Sequence, residues 1–154
     1  MGGSALKHLL DTGRFNITII TRESSSTTFP SSPSVTVQRG SYDDASFLSV
    51  AFSGQDAVLF ALNFMAMGGQ SKLITAAAQA GVKWILPTEY AGDGSNQAMM
   101  DAVPLFGPKV AARKQIEELA KTHEGLKWIG IVTNPWTEFV SLVSGQGDQA
   151  SSCY

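Results

Sequence analysis

Cysteine is nearly absent: Cys153 is the one thiol in 154 residues. A single thiol forms no internal disulfide and supplies no partner for a thiolate metal cluster, and such usage points to a reducing compartment. An excess of charge of one sign is missing too. Eleven Lys and Arg stand against thirteen Asp and Glu, a formal net charge of -2, so no global attraction to nucleic acid or to an anionic membrane is expected. No run stays apolar for the ~20 residues that a membrane helix needs. The first ten residues, MGGSALKHLL, lack the apolar core of a secretory signal. Gly2 after Met1 begins like a myristoylation site, but Lys7 sits just past residue 6, where Ser or Thr is wanted. With 44% hydrophobic and 16% charged residues, what remains is the composition of a single globular, cytoplasmic domain.

The chain alternates between helical and strand-like patterns. Ala5, Leu6, Leu9 and Leu10 recur at helical spacing, and Gly13 falls where a left-handed cap closes a helix. Residues 15–20 (FNITII) are short and rich in β-branched side chains, as in a buried strand. Residues 23–34 are Ser-, Thr- and Pro-rich and read as a mobile loop, followed by a short strand at 35–37. Asp43 or Asp44 can cap a helix carrying Phe47, Leu48 and Ala51 and ending at Gly54. Strands are predicted at 56–62, 82–86 and 128–132. Helices are predicted from about Gln70 to Ala80, closed by Gly81, and from Pro108 to about Lys121. Strand–helix–strand alternation predicts an α/β fold: a doubly wound parallel sheet with helices over both faces. The polar residues 144–154 read as a frayed tail behind a domain spanning 1–143.

In open parallel sheets, ligands bind beyond the carboxyl ends of the strands. The strand at 15–20 runs into Thr21-Arg22-Glu23-Ser24-Ser25-Ser26. Arg22 with neighbouring hydroxyls suits a phosphate such as the 2′-phosphate of NADP; the plainer reading is an exposed strand-end arginine. The strand at 82–86 ends in Pro87-Thr88-Glu89-Tyr90. Thr88 can hydrogen-bond a ligand and Glu89 or Tyr90 can line a pocket, although Pro and Thr are ordinary turn residues. Lys109 opens the following helix, where a cation opposes the positive end of the helix dipole unless an anion or a special role compensates. His8 and His123 have no sequence neighbours suggesting a triad or a metal site, and none is expected. Trp84, Trp128 and Trp136 read as core or domain-contact residues. Arg113-Lys114 is too small a basic patch for nucleic acid.

Taken together these segments resemble the NmrA-like and isoflavone-reductase-like family, within the atypical short-chain dehydrogenases. The resemblance runs from about Gly2 to Phe139. It rests on the order and spacing of Gly13-Arg14-Phe15, Thr21-Arg22, Gly40-Ser41-Tyr42-Asp43-Asp44, residues 51–58, residues 76–83, Pro87-Thr88-Glu89-Tyr90, Lys109 with Arg113 and Ile116-Glu117, and residues 128–132. It implies a Rossmann-like fold that binds NADP(H) and reduces a small molecule of aromatic or carbonyl character by hydride transfer. It further implies that Gly2 is the third glycine of the pyrophosphate turn, that Arg22 grips the 2′-phosphate, that Pro87, Thr88 and Glu89 flank the nicotinamide, and that Lys109 takes part in proton transfer. Leu105, four residues before Lys109, breaks the Tyr-x-x-x-Lys pair of ordinary short-chain dehydrogenases.

Several departures stand beside the resemblance. The family opens with a central strand and a Gly-x-x-Gly-x-x-Gly turn, whereas this sequence starts at what corresponds to the third glycine. Ala91 replaces a glycine, Ser41 an aspartate, and the C-terminal substrate region is missing after about Val143. The expectation is a partial Rossmann domain, an internal piece of a longer reductase. The strands at 15–21 and 56–62 would then flank the missing central strand and present unpaired edges. Two rivals remain on sequence alone: a non-catalytic dinucleotide sensor, and an inactive fragment.

Overall fold

The computed structural model describes residues 2–103 and 106–133. Helix α1, Gly2–Asp11, is amphipathic. It stops where Gly13, at φ +64°, turns its N–H back to the Leu10 carbonyl at 2.9 Å. Strand β1, Ile17–Arg22, follows and pairs in parallel with β2, Val35–Gly40, placing Ile17 opposite Val35 and Arg22 opposite Gly40. The connection between them is fastened by Arg39, whose guanidinium donates to the carbonyls of Ser25 (2.6 Å) and Thr27 (2.7 Å).

Helix α2, Ala45–Phe52, is capped by Asp44, whose carboxylate accepts from the N–H groups of Ser46 and Phe47. Strand β3, Ala57–Leu59, leads through a 3₁₀ turn, Phe64–Gly69, into helix α3, Gln70–Gln79. Strand β4, Trp84–Leu86, is followed by the short helix α4, Gln97–Ala102, and by α5, Gly107–Ala120, with Pro108 in its first turn. Strand β5, Lys127–Trp128, completes a parallel sheet in the order β3-β4-β5.

The core lies between this second sheet and its helices. Phe52 of α2, Ile74, Ala77 and Ala78 of α3, Ile85 of β4 and Ala112 and Ile116 of α5 are buried in one cluster. α3 contacts both α2 and α5. The small side chains of Ala77 and Ala78 (0% and 2% exposed) let α3 approach closely.

The α/β class with parallel strands agrees with the sequence reading. So does the split into two sheets, β1-β2 and β3-β4-β5, with no pairing between β1 and β3 among the described residues, as expected of strands that flank a missing central one. One detail departs from it: among the described residues the second sheet is covered on one face only. Val58, Ile85 and Trp128 point toward the helices, while Ala57, Leu59, Trp84 and Ile129 remain exposed on the other face. Trp84, read as a core residue, lies instead under the Lys127 ammonium, 5.3 Å from its ring centroid. No layer covers this face among the described residues, and α1 contributes no buried residue. Phe15 precedes β1 and is exposed, and β1 is half-buried rather than buried. Trp136 and the tail at 144–154 lie outside the described residues.

Candidate functional site

Parallel pairing brings the carboxyl ends of the strands to one side, and the sequence-predicted residues sit at those ends. At the end of β1, Arg22 lines a cavity of about 620 Å³ together with Ser24, Ser41, Tyr42, Asp43 and Lys72. Two cations and the carboxylates of Glu23 and Asp43 share its walls. Lys72 is engaged by Asp43 in an ion pair between exposed side chains. Arg22 has no ion-pair partner among the described residues, so its guanidinium is the cavity's uncommitted cation. Tyr42 donates its hydroxyl to the Ile20 carbonyl at 3.3 Å. Burial pushes its phenol above the usual range, and the charge of Arg22 opposes that shift. Gly40 is required here because a Cβ would meet the Phe47 ring at 2.6 Å.

Gly2 lies in the first turn of α1, beside the end of β3: a Cβ there would come within 3.2 Å of the Ala61 Cβ. Neither Gly2 nor Lys109 is among the residues lining the Arg22 cavity.

The second group is built at the end of β4, where Pro87, Thr88, Glu89 and Tyr90 are all buried. Thr88 stitches three elements together. Its hydroxyl donates to the Phe60 carbonyl at 3.2 Å and accepts from the Leu62 N–H at 3.4 Å, while its N–H donates to Gln70 Oε1 at 2.8 Å. Gln70 opens α3 next to Gly69, itself a wall of the Arg22 cavity. The Gln70 side chain therefore links the wall of that cavity to residue 88. Glu89 and Lys109 are 2% and 4% exposed. Lys109 Nζ donates to the Glu89 carbonyl and lies 4.9 Å from the centroid of the Phe106 ring. Arg113, one helical turn beyond Lys109 on α5, brings Nε to 3.2 Å from Glu89 Oε1. The two atoms are close enough for an ion pair but not aligned as a hydrogen bond. Arg113 Nη2 and the Tyr90 hydroxyl also have no hydrogen-bond partner among the described residues.

Burial dominates the titration of this group. It raises the Glu89 carboxyl, against the attraction of Arg113 and then Lys109. It lowers the Lys109 ammonium, with Glu89 opposing and Arg113 reinforcing the shift. Burial likewise raises the Tyr90 phenol. The arrangement can hold a proton at Lys109 Nζ and release it more readily than a solvated lysine.

Sequence reasoning singled out Gly2, Arg22, Pro87, Thr88, Glu89 and Lys109, and the structure brings the last four together. It missed Gln70 and Lys72, and it quoted Arg113 beside Lys109 without giving it a role in the site. Arg113 carried a usable signal: it stands four residues after Lys109, on the same helix face. Gln70 and Lys72 carried none, because their partners Thr88 and Asp43 are distant in sequence. Leu105 lies outside the described residues.

Parallel strands with crossover helices, and polar side chains gathered at the strand ends, define a Rossmann-like nucleotide-binding class of fold. The family model described as the NmrA-like family matches residues 1–134. The chain belongs to that family. It is 35% identical over 144 residues to the oxidoreductase aprR of Aspergillus flavus, which covers 89% of this chain and 47% of aprR. The chain thus spans about half the length of the curated relatives it matches. Among solved structures it is similar to isoflavone reductase (TM-score 0.61, 21% identity, covering 84% of this chain and 44% of the other). It is also similar to the Citrobacter sp. triphenylmethane reductase complexed with NADP(H) (TM-score 0.52, 24% identity, covering 73% and 39%). Both likenesses concern the fold.

Proposed function

We propose that this chain forms the dinucleotide-binding part of an NADP(H)-dependent reductase of the isoflavone-reductase-like type, acting on a small aromatic or carbonyl-type molecule. The observation that carries the reading is Arg22, a guanidinium without an ion-pair partner among the described residues, in a cavity lined also by Ser24 and Ser41. A guanidinium beside hydroxyl donors is the chemistry that receives a phosphate monoester, and it distinguishes a 2′-phosphate from a free ribose. The first-turn N–H groups of α1, at Gly2, lack intrahelical acceptors and suit the pyrophosphate. Pro87, Thr88 and Glu89 would border the nicotinamide half.

When bound, the reduced dinucleotide supplies a hydride. The chain's own residues do the rest. Thr88 fixes the end of β4 against β3 and α3. Phe106 and the Glu89 carbonyl hold Lys109 Nζ in a buried position, from which it donates a proton to the acceptor directly or through one water.

The test is a titration of the 154-residue chain with NADPH and with NADH, followed by nucleotide fluorescence. The expected result is tighter binding of NADPH, with the preference lost in Arg22→Ala and NADH affinity little changed. Equal affinities in the unaltered chain, or an undiminished preference in the variant, would remove the assignment.

A further inference from the structure

Two cations on one face of α5 converge on a single residue. Lys109 reaches the backbone carbonyl of Glu89, and Arg113 reaches its carboxylate, with Nε 3.2 Å from Oε1. The carboxylate would be the better partner for an ammonium, since a charged acceptor makes roughly twice as strong a hydrogen bond as a neutral one. It is not the one Lys109 uses. The loop after β4 is shaped around the guanidinium: Gly94 is buried, and a Cβ on it would collide with Arg113 Nη2. The Arg113 side chain is 17% exposed, so this is a largely buried pair rather than a surface contact.

We propose that Arg113 is the positioning residue of this site: by occupying the Glu89 carboxylate it confines Lys109 Nζ to the Glu89 carbonyl and the Phe106 ring, leaving the ammonium with no carboxylate of its own. The inference rests on the reading of Lys109 as the proton-carrying group and assigns a partner to it.

The charged groups around Lys109 are few. Glu89 faces it from the end of β4, and Arg113 from α5 itself. Asp93, in the following loop, acts on Glu89 and Arg113, and its carboxylate is held by Ser95 N–H (2.8 Å) and Oγ (2.7 Å). Lys72 of α3 is engaged by Asp43, and Lys127 of β5 lies over Trp84. Loss of Arg113 therefore has one principal consequence: the Glu89 carboxylate becomes available to Lys109. Arg113 also repels Lys109 through space, and that effect must be separated from capture of the carboxylate.

The experiment follows the Lys109 side-chain ¹³Cε and ¹⁵Nζ resonances against pH in the 154-residue chain, with circular dichroism as the check on folding. Arg113→Gln is compared in two backgrounds, with Glu89 and with Glu89→Gln. The expected result is a gain in Lys109 proton affinity of about tenfold, one pKa unit, when Glu89 is present, and a clearly smaller gain when it is Gln. An equal gain in both backgrounds would show through-space repulsion alone, and no gain would show that Arg113 does not act on Lys109. Either result overturns the proposal. If Arg113→Gln does not fold, Arg113→Lys takes its place. It keeps the charge but gives up the fork, so a gain that depends on Glu89 reports capture of the carboxylate; no gain, or an equal gain in both backgrounds, refutes it. The titration uses neither dinucleotide nor substrate, so its failure is distinct from a failure of nucleotide binding at Arg22.

Discussion

At the scale of single residues, the pair at 89 and 113 governs both chemistry and stability. Burial raises the carboxyl of Glu89, which is 2% exposed, and the guanidinium beside it opposes that shift. Leaving one partner of such a pair alone costs about 3 kcal/mol; in Arg113→Gln the Lys109 ammonium takes up part of that role, so a smaller loss is expected at neutral pH. The loss depends on pH with a definite sign. The folded-state Glu89 titrates above its ordinary value of 4.5. Between 4.5 and the raised value the folded chain holds more protons than the unfolded one. The contribution of Glu89 is therefore complete below 4.5 and is lost as pH rises through the folded value. Without Arg113 the folded value rises further, so the penalty of the variant shrinks as pH falls from neutrality toward 4.5. Denaturant melts of both proteins at neutral and mildly acidic pH measure this, and a penalty independent of pH would contradict it. Residue identity alone made Glu89 and Lys109 legible as candidates. It did not show that the Thr88 hydroxyl is engaged by Phe60 and Leu62, because those partners lie 28 and 26 residues away.

At the scale of elements, local chemistry was a good guide wherever it acts locally. Gly13 and Gly81 end their helices at positive φ, Pro108 opens α5, and Asp44 rather than Asp43 caps α2. Asp43 is engaged instead by Lys72. Removing the cap by Asp44→Ala leaves the N–H groups of Ser46 and Phe47 without their side-chain acceptor. A destabilisation of about 1 kcal/mol is expected, seen as a lower urea midpoint with an unchanged slope. Asp43→Ala, which removes only an exposed ion pair, should cost much less. Helix α4 was not legible. The Gly92, Gly94, Ser95 and Asn96 cluster reads as loop, yet the Asn96 side chain accepts from the Met99 N–H at 3.1 Å and starts six helical residues. The strands proved shorter than their apolar runs. β3 covers Ala57–Leu59 where residues 56–62 had strand character, because pairing with β4 limits the ladder.

At the scale of the whole molecule, the described residues leave apolar surface that a doubly wound sheet would cover. Leu59, Trp84, Ile129 and Ile131 are 37–45% exposed, and among the described residues β1 and β3 each have a partner on one edge only. Open edges beside an apolar face favour association. The 154-residue chain is expected to self-associate with rising concentration and to bind an apolar fluorescent dye, with Leu59→Lys weakening both. Sedimentation of a concentration-independent monomer that binds no dye would contradict this. Sequence periodicity marked these strands as apolar, but it does not show which of their two faces is covered. That depends on where α1 packs, and α1 buries none of its residues.

The absent side chain at Gly94 has a consequence beyond its own turn. The loop and the guanidinium of Arg113 occupy adjoining space, so a single methyl group at residue 94 would evict by crowding what deletion of the arginine removes outright. Crowding at this one turn would thereby reach the Glu89 carboxylate through the side chain of Arg113.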